Sequence, residues 1–281
     1  MTAMRRGNLA LLLPLAAIFI LNFSSLWGLD GGIQAIAIVV VAFVFALMHG
    51  SAAMGWRNLL AFLIMTIVIS FAAEAIGVAT GLVFGAYHYT DNLGPKLLGV
   101  PPLIQLAYIA MGYASMMMAR VITGGARRAF TLAGVLAASL IMVGWDVAMD
   151  PYQSTVSGDW IWENGGPYFG VPMHNYVGWL VTVLVFMFAY WLFQRQWPEP
   201  ALDTRAAAPA FQSLPAVLYG LMALNIIVTP FVSRITSIAS PGNYTLPIAT
   251  LEASMTLIAL FVMGTPVVLA LVQSKTETVA R

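Results

Sequence analysis

Eight long apolar runs dominate the chain, separated by short polar or Gly/Pro-bearing stretches. Read with a window of about 19 residues, they cover approximately 9–27, 32–49, 58–80, 101–119, 128–149, 172–193, 215–234 and 247–272. A helix rises ~1.5 Å per residue, so runs of this length suit the ~30 Å hydrocarbon core of a bilayer. The pattern predicts an all-α fold: a polytopic membrane helix bundle of about eight transmembrane helices, forming one transmembrane domain over residues 1–281. Composition agrees, with 60% apolar residues and 8% charged ones, against about 25% charged in soluble domains. The first run follows Arg5 and Arg6, as in a signal peptide, but continues to Trp27 without a small-x-small cleavage site. A retained helix is therefore expected.

The distribution of charge then predicts an orientation. With the N-terminus in the cytoplasm, the inner side holds Arg5, Arg6, Arg57, Arg120, Arg127, Arg128, Arg195, Arg205, Lys275 and Arg281, and the outer side only Lys96 and Arg234. That asymmetry follows the positive-inside rule and places both termini in the cytoplasm, with the chain in the cell inner (cytoplasmic) membrane. The Pro-bearing stretch 194–214 reads as a solvated cytoplasmic linker. Net charge is only +1 and cysteine is absent. No basic surface is left for nucleic acid, and disulfides, thiolate metal sites and a Cys nucleophile are excluded. No Gly-x-Gly-x-x-Gly stands between a strand and a helix, and no cofactor is expected.

Two segments, 74–101 and 146–172, align at an offset close to 72, within units of approximately 58–119 and 128–193. Glu74 falls on Asp146, and Tyr87-His88-Tyr89 on Trp160-Ile161-Trp162 with one residue of slippage. Gly94-Pro95 falls on Gly166-Pro167, and Gly99-Val100-Pro101 on Gly170-Val171-Pro172. Each unit reads as a helix rising to the outer face with a carboxyl near its end, an aromatic-x-aromatic loop, a Gly-Pro turn, and a proline opening the next helix. Both run the same way through the membrane, so this is a parallel repeat.

Acids inside apolar runs are costly and read as functional candidates. Glu74, Asp146 and Glu252 lie within about two turns of the outer ends of their runs, and Asp150 follows Asp146 by one turn on the same helix face. Ionised together, Asp146 and Asp150 would repel, so one of them is expected to hold a proton. A protonated carboxyl facing an apolar space is what protonation of a carbon–carbon double bond requires. The outer loops supply Tyr87, Tyr89, Tyr152, Trp160, Trp162, Tyr168, Phe169, Tyr176 and Trp179. These residues form either an interfacial belt or faces that stabilise a cation. His88, His174 and Asn175 lie on the same side, without the H-x-x-x-H or H-x-x-E spacing of a metal site, and no metal is expected. His49 reads as interfacial, and Glu252 pairs with Arg234 or joins the carboxyl group.

Glu74–Tyr89 (EAIGVATGLVFGAYHY) with Gly94–Pro101 (GPKLLGVP), and Asp150-Pro151 with Trp160–Pro172 (WIWENGGPYFGVP) and Asn175–Trp179 (NYVGW), resemble the two signatures of the membrane carotenoid biosynthesis proteins. That family includes integral-membrane hydratases that add water across the terminal double bond of an acyclic carotenoid end. The resemblance spans roughly residues 58–193. It implies a membrane-dissolved carotenoid or isoprenoid substrate and water as partners, alongside the lipid bilayer and other enzymes of the same pathway. Depth in the span and the repeat make Asp146 the expected acid, with Glu74 or Asp150 as the base that orients water. The expected substrate pocket comprises Tyr87, Tyr89, Trp160, Trp162, Tyr168, His174, Asn175 and Trp179, with His174 at a position where the chain departs from the family pattern. Capture of the same cation by an internal double bond would instead cyclise or isomerise the end group. A proton-coupled transporter and a non-catalytic carotenoid-binding protein are the readings from other classes.

Overall fold

The computed structural model describes residues 3–124, 129–202, 206–232 and 247–279, with side chains from Leu9 to Lys275. Arg127, Arg128, Arg205, Arg234 and Arg281, part of the basis for the expected orientation, lie outside the described residues. The helices are α1 (Ala3–Leu21), α2 (Gly31–Thr80), α3 (Pro102–Gly124), α4 (Leu132–Tyr152), α5 (Met173–Gln196), α6 (Pro209–Gln212), α7 (Leu214–Val232), α8 (Ile248–Ile258) and α9 (Gly264–Val279). Two three-residue strands, β1 (Tyr87–Tyr89) and β2 (Trp160–Trp162), form an antiparallel pair. A π-turn over Ala259–Met263 joins α8 to α9, so the last apolar run is one continuous unit. Among the described residues, six helical units are long and apolar enough to cross a membrane, and the chain is a multi-pass all-α membrane protein.

The runs 32–49 and 58–80 fall in one 50-residue element, α2, that breaks at Gly55. There φ is 73° and ψ 156°, a conformation that side-chain-bearing residues avoid. Pro200 packs against the bare α-carbon, its Cγ 3.0 Å from where a Cβ would stand. The first run also ends early. Helix α1 stops at Leu21, and the polar cluster Asn22, Ser24 and Ser25 leads into a 3-10 turn closed by Gly28 in the left-handed region.

Helix α3 is the axis of the bundle: 78% of its apolar stretch is buried, against 22–44% for the other five. It packs on α2, α4, α7 and α9. Outward-facing apolar side chains recur at helical spacing, as at Leu132, Leu136 and Leu140 on α4 and Val177, Val181 and Val185 on α5. That is the pattern of a surface solvated by lipid rather than water.

Two expectations change here. His49 is fully buried rather than interfacial: its Nδ1 accepts from the Tyr113 hydroxyl at 2.5 Å, and its Nε2 lies 3.0 Å from the Phe211 carbonyl. A carbonyl only accepts, so the ring proton sits on Nε2. The 194–214 stretch is not simply solvated. It buries Gln194, Ala206, Phe211 and Gln212, and its Glu199 makes a two-pronged ion pair with Arg120 at 2.7 and 3.0 Å, the side chains only 7% and 6% exposed.

Candidate functional site: three carboxyls beneath an aromatic ribbon

Glu74 stands near the C-terminal end of α2. Gly81 closes that helix in the left-handed region, its N–H bonded to the Gly77 carbonyl, and the chain doubles back. Phe84 and the Tyr87 hydroxyl then pack where a Gly77 side chain would be. The reversal carries β1 across the helix end. Successive strand residues point to opposite faces, so Tyr87 and Tyr89 turn inward and His88 outward, where its Nδ1 meets Glu163 at 3.4 Å on the exposed face. Pairing Tyr87 with Trp162 and Tyr89 with Trp160 puts four rings on the inner face of one ribbon.

The ribbon and α3 supply the donors for Glu74. Tyr87 and Tyr89 hydroxyls donate to its Oε2 at 2.5 and 2.9 Å, and the Tyr108 hydroxyl to Oε1 at 2.9 Å. Burial, with the Glu74 charge beside them, pushes the Tyr87 and Tyr89 hydroxyls well above their ordinary range, so both stay protonated and donate. Asp150 is held by the indole N–H groups of Trp160 and Trp162, at 2.7 and 3.3 Å, both on Oδ1. The Asn175 amide bridges the two aspartates, donating to Asp146 Oδ2 at 2.9 Å and Asp150 Oδ2 at 2.8 Å. Asn175 is the one donor Asp146 has among the described residues. All three carboxyls are at most 2% exposed.

These groups line one cavity of about 40 Å³, room for a few waters at ~10–15 Å³ each. Phe84, Trp145, Met149 and Trp179 complete its walls. Trp179 stacks on Tyr108 at 4.5 Å with the rings 2° from parallel. Nine of the sequence-assigned residues therefore meet around one space: Glu74, Tyr87, Tyr89, Asp146, Asp150, Trp160, Trp162, Asn175 and Trp179.

Tyr168 and His174 are not among the lining residues. Pro151 lies inside α4 and has no N–H, which leaves the carbonyl four residues earlier without its helical donor. The Tyr168 hydroxyl donates to that carbonyl, Val147 O, at 3.1 Å. His174 is exposed on the first turn of α5, its neighbour Asn175 taking the inward position. Tyr108, Phe84, Trp145 and Met149 escaped the sequence reading. The one available signal was Tyr108 itself, a hydroxyl inside an apolar span that needs a buried partner.

A further parallel between the loops lies in the turns that open α3 and α5. Leu98 and Gly99 have φ of 50° and 81°, and Phe169 and Gly170 have 52° and 90°. Each pair is spanned by a bridge, Leu97 to Val100 and Tyr168 to Val171. Two consecutive positive φ values make the tight hairpin turn that matches strand twist.

The fold and site define a class: a multi-pass membrane protein with a buried carboxyl cluster walled by aromatic rings. Residues 32–251 match the carotenoid biosynthesis protein family, and the chain belongs to it. It is similar to bisanhydrobacterioruberin hydratase of Haloarcula japonica, 32% identical over 133 residues, which are 46% of this chain. The match takes in 44% of that relative's length. No solved structure matches the chain.

Proposed function

We propose that the protein is a carotenoid-modifying enzyme of the inner membrane that hydrates the terminal double bond of an acyclic carotenoid end group. The observation that carries this reading is the set of three buried carboxyls sharing one small cavity with aromatic faces and no basic side chain. Asp146, held by one amide and facing the cavity, carries the proton. It protonates the terminal trisubstituted alkene: the π electrons form the new C–H bond and a tertiary cation remains. The faces of Trp145, Trp162 and Trp179 stabilise that cation, each such contact supplying on the order of 2 kcal/mol when desolvated. Water adds to the cation and gives its extra proton to a carboxylate. Glu74, whose charge is supported by three hydroxyl donors, takes it, and return of the proton to Asp146 closes the cycle with a tertiary alcohol as product. Family membership and the hydratase relative support the same chemistry. The cytoplasmic location of both termini is part of the proposal and rests on the lysine and arginine distribution.

The test is pigment analysis in a host that makes lycopene, with and without the gene. A more polar product heavier by one water is expected, and Asp146→Asn should lower its formation about 100-fold or more while the protein still accumulates in the membrane. A product of unchanged mass and altered absorption means the cation is captured by an internal double bond. Full turnover by folded Asp146→Asn removes Asp146 from the acid role.

A further inference from the structure

The carboxyl cavity is too small for what it has to process. At about 40 Å³ it holds a few waters and has no room for the length of an isoprenoid chain. The reacting end therefore needs an adjoining space for the rest of the molecule. A groove of about 720 Å³ lies between α2, α4, α7 and α8, and it shares two residues with the cavity, Trp145 and Met149. Both sit on α4 one turn apart and both are half-buried, so each has one side in the cavity and one in the groove. Trp145 leans edge-on against Trp179 at 6.2 Å. Met149 has an unbranched, readily rearranged side chain.

The groove has two kinds of lining. Ile38, Val39, Met222 and Ile226 supply its apolar part, whereas Asp30, Gln34, Asn92, Asn225 and Glu252 make much of the rest polar. From Gly31 to Val39 along α2 it extends ~12 Å at the helical rise. We infer that this groove holds the part of an acyclic carotenoid's polyene nearest its reacting end, and that Trp145 and Met149 are the partition through which that end reaches Asp146. The inference rests on the hydratase reading for what happens beyond the partition, but not for what fills the groove.

The experiment uses the full chain in lipid nanodiscs with lycopene, reading pigment retained after washing and hydrated product by mass. Ile226→Trp fills the groove from the α7 side. Met149→Trp blocks the partition, and Leu136→Trp on the exposed face of α4 serves as the control for folding and yield. Ile226→Trp should lower both retention and product about tenfold or more. Met149→Trp should lower product about tenfold and leave retention within about twofold. If Ile226→Trp, folded as well as the control, retains and hydrates lycopene like the unsubstituted chain, the groove is not the polyene site. If Met149→Trp loses retention together with product, the partition role is overturned. Retention that depends on Ile226 without any hydrated product supports the groove and overturns the hydratase reading instead.

Discussion

At the scale of single residues, the chemistry rests on how many donors each carboxyl has. Glu74 has three, Asp150 three and Asp146 one. Removing the Tyr108 hydroxyl strips Oε1 of Glu74 of its donor, so Tyr108→Phe should cost about 1–3 kcal/mol of stability, read as a lower unfolding midpoint in detergent. Asp159, in the loop before β2, gives a pH dependence of definite sign. Burial raises its carboxyl from 3.8 to about 6, against the lowering effect of the Asn92 amide. The fold therefore favours the protonated form. Its contribution is full below pH 3.8 and is lost as pH rises to about 6. Asp159→Asn should match the parent near pH 4 and exceed it by on the order of 2 kcal/mol at pH 8, measured by thermal unfolding across that range. The carboxyls were legible in the sequence because a charge inside an apolar run stands out. Their partners were less so. Alignment sets Glu74 against Asp146, and the spacings to the ribbon agree, 13 residues from Glu74 to Tyr87 and 14 from Asp146 to Trp160, yet the indoles bond Asp150, one turn further along α4. Tyr108 was hidden because its hydroxyl meets Glu74 only once α2 and α3 have packed.

At the scale of elements, the helices follow from hydropathy and their special points from glycine and proline. Helix α5 approaches the chain reversal after α2 at Gly178, where a Cβ would stand 2.0 Å from the Val83 carbonyl oxygen. Backbone cannot yield as a side-chain tip can. Gly178→Ala should cost about 3 kcal/mol and displace Phe84 and Tyr87 from the cavity, read as lost folded yield or as product loss in whatever protein survives. The π-turn over Ala259–Met263 lies inside the last apolar run and left no hydropathic trace, whereas the break at Gly55 falls in the gap between the runs 32–49 and 58–80. A sliding window reads which residues are apolar and not how the backbone winds.

At the scale of the whole molecule, what hydropathy could not show is how the segments outside the spans fold back onto the bundle. The 194–214 stretch was read by composition as a tether, yet its Glu199 is an internal partner of Arg120 and accepts from Tyr190 at 2.7 Å. Glu199→Gln removes the two-pronged carboxylate partner of that guanidinium and should lower unfolding free energy by about 3–5 kcal/mol, whereas a volume-matched apolar replacement of both partners should recover most of it. Denaturant titration of the single and double variants measures the difference. The carboxyl cluster also has a consequence for the order in which the chain is made. The donors to Glu74 come 13, 15 and 34 residues behind it, those to Asp150 10, 12 and 25, and Asn175 follows Asp146 by 29. At ~5–20 residues per second, a ribosome delivers every one of them within about seven seconds of the acid it serves. Each acid thus enters the bilayer with its hydrogen-bond donors close behind on the nascent chain, and biogenesis need not hold it without partners until the last helix arrives.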